Sequence, residues 1–167
     1  MRACGPLLVV ALLVLPLTGA ACARVHPETF APLAQTGQSI VVALTDRPTL
    51  PRFRPLRQAF GSALAEARPK ARSSTEHRML NAYEAVDERL SEMLAVWEGL
   101  NARQEERLPV TRPLGAQLKA RYDLAVNTNE PVSIYATEAL VALRDDIKER
   151  LGHASGKVRV GDASHAK

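Results

Sequence analysis

Three glutamates have the spacing of a chemical site. Glu84, Glu88 and Glu92 follow one another at intervals of four residues, which would align their carboxylates in one column along an α-helix. Such a column can bind a metal ion or carry out acid–base chemistry. A solvated helix face has the same spacing, and we interpret the column as such a face.

Histidine and methionine side chains offer a second candidate site, for haem. The four histidines are His26, His77, His153 and His165. None of them has a glutamate three residues earlier, so the Glu-x-x-His pairs of a di-iron bundle are missing, and no Cys-x-x-Cys-His motif for covalent haem is present. Non-covalent haem ligation by Met79 or Met93 with His153 is an alternative. We favour core packing for the methionines and a solvated position for the histidine.

No established catalytic motif occurs in the chain. The metalloprotease, nucleophile-elbow, phosphate-loop and dinucleotide-binding patterns are all absent. Trp97 could stack on a ligand, but its position at the end of an apolar stripe predicts a core aromatic. We therefore expect a non-enzymatic interaction or scaffold module with no cofactor and no metal. The alternatives are a helical-bundle binding protein for haem or another small apolar ligand, and an enzyme of unrecognised type.

A group of basic residues is the remaining candidate site. They could contact lipid headgroup phosphates or another polyanion, and they are Arg52, Arg54, Arg57, Arg68, Lys70 and Arg72. The alternative is pairing within the chain, because residues 84–106 contain seven acidic residues against two arginines. The formal charge of +4 is a mild excess and aromatic residues are few, so we expect no nucleic-acid partner.

The first 21 residues have the composition of a signal peptide. Arg2 gives a positive start, residues 7–15 are an unbroken apolar run, and residues 16–21 are mostly small. The nine-residue run is too short for a membrane-spanning helix, which needs about 20 residues. The chain is therefore predicted to be exported.

Residues 18–22, Thr-Gly-Ala-Ala-Cys, resemble a bacterial lipobox, with Gly19 where leucine is usual. The resemblance covers only the precursor segment. It implies that Cys22 becomes the lipidated first residue, anchored at the periplasmic face of a bacterial membrane. Together with the amphipathic helices and the missing catalytic motifs, export to that place leads us to expect an envelope protein as partner. Cleavage after Ala23, at an Ala-x-Ala site, is the alternative and would give a soluble periplasmic or secreted protein. Since no cysteine follows Cys22, the mature domain has no disulfide.

One long amphipathic helix organises the rest of the chain. Its apolar stripe, at alternating steps of four and three residues, is Met79, Tyr83, Val86, Leu90, Met93, Trp97 and Leu100. Ser73 and Glu76 form a capping-box signature at its start, and Pro109 follows its end. We predict a helix over residues 73–107 that requires partner helices, since a one-sided apolar stripe is not stable alone.

The partner helices are predicted from periodicity and from proline positions. Residues 29–45 form the first, residues 46–55 are an extended connector, and a second helix runs from Pro55 to near Arg68. A shorter apolar face covers 114–125. The last helix covers 131–151, with Thr128 or Asn129 as its cap and Gly152 as its stop.

These elements predict an all-α protein, a small helical bundle built around the long helix. The domain organisation is a signal peptide (1–21), a tether (22–28), the bundle (29–152) and a disordered C-terminal tail (153–167). The proline breaks are either kinks, giving three layers, or full reversals, giving four or five helices. Basic residues 47–78 are expected to lie beside the acidic half of the long helix.

Overall fold

A computed structural model describes residues 26–46 and 49–163, with side chains described up to residue 154. The predicted signal peptide, Cys22 and both cleavage sites lie outside the described residues. Residues 164–167 of the predicted tail also lie outside them. Within the described part, no helix is both long enough and apolar enough to cross a bilayer.

The described chain is an all-α bundle, as predicted. Four main helices alternate in direction, and each packs on two neighbours in a ring. They are α1 (Pro27–Thr45), α2 (Leu50–Ala67), α3 (Ser74–Arg103) and, after a short α4 (Pro113–Tyr122), α5 (Ala136–Ala163). Because α1 packs along α2, the chain reverses between them, and the prediction of one kinked rod before residue 69 is wrong.

The core is built on the predicted stripe of α3. Tyr83, Val86 and Leu90 are fully buried, and the rings of Phe30 and Phe60 pack on Tyr83 at centroid distances of 6.4 and 6.1 Å. These aromatic contacts join α1, α2 and α3 in one apolar centre. At the end of the stripe, Trp97 and Leu100 are only partly buried.

The start of α3 was predicted correctly, but its end was not. Ser73 caps α3, which stops at Arg103 because Gln104 adopts a left-handed conformation, with φ 52°. Residues Arg107–Pro109 form a short strand, β1, that pairs antiparallel with β2, Ser133–Tyr135. After α3 the chain turns back, and Leu108 is buried against the core. The next residue, Pro109, could not continue a helix.

The last helix also differs from its prediction at both ends. Since β2 occupies 133–135, α5 begins at Ala136, and neither Thr128 nor Asn129 caps it. Gly152 does not stop α5, whose backbone continues to Ala163. A helical glycine costs about 1 kcal/mol, but Leu151 and Ala154 on either side of it are buried, and their packing favours continuation.

The second helix begins earlier than predicted. It starts at Leu50, so Pro51 lies in its first turn and Pro55 lies inside it. The missing amide of Pro55 removes one helical hydrogen bond at most, the one to the Pro51 carbonyl. Phe53 lies between the two prolines and is fully buried, 5.5 Å from the Trp97 ring. This burial offsets the lost bond.

The two ends of the bundle differ in structure. The "clamp end" contains the start of α1, the reversal between α2 and α3, and the start of α3. The "strand end" contains β1, β2, α4 and the start of α5. The Ala136 amide donates to the Glu106 carbonyl (2.9 Å), which fixes the start of α5 at the end of α3.

Candidate functional site

A single buried carboxylate organises the clamp end. Glu76 is 2% exposed, and its Oε2 accepts hydrogen bonds from the backbone amides of Arg72 and Ser73, both at 2.9 Å. Its Oε1 accepts from the backbone amide of His26 at 3.0 Å. We call these four residues the Glu76 clamp. The clamp fixes the first residue of the described domain against the start of α3.

The charge of the Glu76 clamp is held mainly by backbone amides. In the described chain no lysine or arginine pairs with Glu76, and the His26 imidazole Nδ1 lies 3.7 Å from its Oε1. Burial alone would raise the pKa of Glu76, but the hydrogen bonds from the His26, Ser73 and Arg72 amides lower it to about 2. The Ser73 part of this arrangement was predicted as a capping box, and both of its hydrogen bonds are present. The His26 part connects residues fifty positions apart, so local sequence gave no signal for it.

Three exposed cations surround the clamp end. Lys70 ends the short 3-10 turn after α2, Arg72 precedes the cap of α3, and Arg78 lies in the second turn of α3. We call them the clamp-end cations. In the described part of the chain, no side-chain nitrogen of the three lies within 4 Å of a carboxylate oxygen. Arg78 donates to the Thr75 hydroxyl at 3.3 Å.

The structure separates the six predicted headgroup-contact residues into two groups. Arg54, Arg57 and Arg68 pair with acids on α3, namely Glu98 (2.7 Å), Asp87 (3.5 Å) and Glu84 (2.7 Å). These three bridges agree with the predicted pairing of the basic segment with the acidic helix.

The other three predicted residues are exposed and lie at opposite ends of the bundle. Lys70 and Arg72 lie at the clamp end, whereas Arg52 lies in the first turn of α2. The eighteen residues from Arg52 to Lys70 correspond to roughly 25 Å of helix. The six residues therefore do not form one surface.

A second polar feature lies between α3, α4 and α5. We call it the ion cluster, and its members are Arg89, Glu92, Arg121, Tyr122, Asp146 and Arg150. Arg89 and Arg121 contact the Glu92 carboxylate at 3.0 and 2.6 Å. On the other side, the Asp146 carboxylate contacts the Arg89 and Arg150 guanidinium groups at 3.5 and 2.6 Å.

Tyr122 completes the ion cluster from α4. Its hydroxyl donates to the Asp146 carboxylate at 2.8 Å. Burial and this hydrogen bond raise the pKa of Tyr122 to about 12, so the phenol is a donor at neutral pH. An open cleft of about 440 Å³ borders Tyr122, Arg121 and Asp146. Because each arginine of the cluster already contacts a carboxylate, the cluster joins helices and offers no free cation to a ligand.

The glutamate column is not one solvated face. Glu88 is 61% exposed, as expected for such a face, and Glu84 pairs with Arg68. Glu92 is buried in the ion cluster, so the prediction is wrong for this residue. Of the charged partners of Glu92, only Arg89 is close to it in the sequence, three residues earlier. The partners Arg121 and Asp146 come from α4 and α5, which sequence spacing could not place.

The haem candidates lie in different environments. Met79 and Met93 are both buried in the core, and their separation of fourteen residues on α3 corresponds to roughly 21 Å. His153 is 76% exposed and lies 3.6 Å from Glu149. Among residues 26–46 and 49–163, no group of three or more His, Cys, Asp or Glu residues is arranged to hold a metal ion.

Comparison of the chain with protein-family models, with curated proteins and with solved structures finds no match.

Proposed function

We propose that this protein is an exported, lipid-anchored helical module of the bacterial cell envelope that acts through contacts with other envelope components and catalyses no reaction. The signal-peptide composition of residues 1–21 and the lipobox-like sequence ending at Cys22 support the anchoring. The observation that carries the proposal is the position of the Glu76 clamp. It holds His26, only four residues after Cys22, against the start of α3.

The Glu76 clamp would fix which end of the bundle meets the membrane. Four residues of extended chain span at most roughly 14 Å, so a lipid on Cys22 holds the clamp end close to the headgroups. The strand end then points away from that membrane. Among the described residues the large apolar side chains that are exposed are Val42, Val132, Tyr135 and Val141. Val132 and Tyr135 lie at the strand end, and we propose that they contact an envelope protein there.

The first experiment is the intact mass of the mature protein, purified from the membrane fraction of cells that export it. We expect a triacylated Cys22 as the first residue. The variant Cys22→Ala should appear in the soluble fraction, whereas the matched control Cys4→Ala, within the signal peptide, should stay in the membrane. An unmodified chain that begins at Arg24 would overturn the anchoring.

The second experiment tests the contact role. A photo-crosslinking residue replaces Tyr135 at the strand end and, as the matched control, His77 at the clamp end, in the lipidated protein in cells. We expect Tyr135 to give a defined crosslinked envelope protein and His77 to give none. Equal labelling from both positions, or a coloured purified protein carrying haem, would contradict the proposal.

A further inference from the structure

We propose that the clamp-end cations, Lys70, Arg72 and Arg78, bind the phosphate groups of anionic phospholipids in the membrane that carries the Cys22 anchor. This contact would orient the bundle on the membrane. The inference rests on the proposed function for the presence of the anchor. It adds a second attachment point and a class of ligand.

The position of the cations is the first support. The amides of Arg72 and His26 donate to the same carboxylate, that of Glu76. Arg72 therefore lies beside the residue through which the chain enters the domain. Lys70 is two residues earlier. A membrane reached through Cys22 would therefore lie on the same side of the bundle as these side chains.

The availability of their charge is the second support. Other basic residues of the same segment, Arg54, Arg57 and Arg68, are held by acids of α3. Lys70, Arg72 and Arg78 are exposed, and no ion pair is found for them in the described chain. Because a paired arginine has already replaced part of its solvation with a carboxylate, the unpaired cations are the ones that can bind phosphate at least cost.

The expected strength follows from surface electrostatics. A lysine or arginine near an anionic bilayer strengthens binding about fivefold, so three would give up to roughly 100-fold. The acids Glu28 and Glu66 are exposed at the first turn of α1 and the last turn of α2, and they reduce this gain. We therefore expect an effect of about tenfold or more. Binding of this strength is weak for a protein without a lipid anchor. It is sufficient to orient the bundle once an anchor holds the protein at the membrane.

The test uses the chain of residues 23–167 without lipid, which retains every described residue. Its binding to vesicles of phosphatidylcholine is compared with its binding to vesicles that also contain phosphatidylglycerol. We expect binding only to the second kind, weakening as salt is raised. The triple variant Lys70→Gln, Arg72→Gln, Arg78→Gln should bind about tenfold or more weakly.

A matched control removes three positive charges from the opposite end of the bundle, in the variant Arg52→Gln, Arg107→Gln, Lys119→Gln, at residues for which the described chain shows no ion pair. We expect this control to change binding by less than about twofold, although its net charge equals that of the test variant. Circular dichroism and urea unfolding identify any variant that has lost its fold, and single substitutions then replace the triple. Equal losses in both triple variants would overturn the proposal, as would equal binding to both kinds of vesicle.

Three further outcomes separate this inference from its alternatives. If inorganic phosphate binds the free protein through these three cations while vesicles containing phosphatidylglycerol do not bind it, the cations form a phosphate site and the membrane proposal is wrong. If Cys22 proves unmodified but vesicle binding follows the clamp-end cations, the headgroup contact stands while the anchor fails. If Cys22 is triacylated and the vesicles show no preference, the anchor stands and this inference fails.

Discussion

The bundle buries carboxylates in two regions and neutralises them in different ways. At the clamp end, Glu76 is held by three backbone amides. In the ion cluster, Asp146 is held by a phenol on α4 and by guanidinium groups on α3 and α5. The clamp thus uses fixed backbone dipoles, whereas the cluster uses mobile side chains from separate helices.

Because the two regions neutralise their carboxylates differently, they determine different features of the fold. Backbone amides at a helix start are present whatever the side chains are, so the clamp fixes one carboxylate without needing a cation. A buried ion network gains less net free energy, because desolvation opposes the attraction. The network is stable only when all of its charged side chains are in place. It therefore fixes which faces of α3, α4 and α5 meet.

The largest effect is expected where several side chains share one acid. Replacing Asp146 with Ala would remove the acceptor of the Tyr122 and Arg150 hydrogen bonds and one of the carboxylates that contact Arg89. Removing one partner of a buried ionic network costs about 3 kcal/mol or more. We expect the free energy of unfolding, measured with urea, to fall by about that amount.

The neighbouring residue provides the control for this prediction. Asp145 is 60% exposed and pairs only locally, with Arg144 at 2.9 Å. Replacing Asp145 with Ala should change the free energy of unfolding by less than about 1 kcal/mol. Equal effects of the two substitutions would mean that the ion cluster does not join the helices.

A smaller effect is expected at the Glu76 clamp. The substitution Glu76→Gln retains the shape but removes the charge that accepts three amide hydrogen bonds, and we expect a loss of about 2 kcal/mol at pH 7. The pKa of Glu76 is lowered from its ordinary 4.5 to about 2 in the folded protein. The stabilisation by its charge is therefore complete above about pH 4.5 and is lost as pH falls toward 2.

The pH dependence distinguishes the clamp from a general acid effect. Urea unfolding of the wild-type protein and Glu76→Gln at pH 7 and at pH 3 should show the difference in stability shrinking at the lower pH. Glu28→Gln, at an exposed residue of the first turn of α1, serves as the control. A difference for Glu76→Gln that is the same at both pH values would contradict the assignment of the charge.

The same contrast explains what the sequence could predict. The capping box needs only Ser73 and Glu76, three residues apart, and the stripe from Met79 to Met93 needs only helical spacing. Both predictions were confirmed. The strands β1 and β2 are three residues each. They pair where Leu108 and Ile134 lie opposite each other, although α4 separates these two residues in the sequence. Spacing within the chain could not indicate that contact.

The ion cluster was missed for a related reason. Seen alone, Glu92 continues the column begun by Glu84 and Glu88, and that periodicity indicates a solvated face. Its burial depends on α4 bringing Arg121 to within 2.6 Å. The charge asymmetry between residues 47–78 and 84–106, by contrast, did predict the bridges between α2 and α3, because consecutive antiparallel helices bring such segments side by side.

The smallest predicted effect concerns the single neutral member of the ion cluster. Tyr122→Phe removes the hydroxyl that donates to Asp146 at 2.8 Å, and we expect a loss of about 1 kcal/mol in the free energy of unfolding. Because the pKa of Tyr122 is raised from 10 to about 12, its contribution is complete below pH 10 and is lost as pH rises through 12.

Ultraviolet absorbance during alkaline titration checks this value. The wild-type protein should show a tyrosine ionising near pH 12, and Tyr122→Phe should lack that step. Tyr135→Phe, in which the replaced ring is exposed beside Arg107, should retain it. Loss of the step in Tyr135→Phe instead would place the perturbed phenol at the strand end. The neutral donor would then no longer distinguish the ion cluster from the Glu76 clamp.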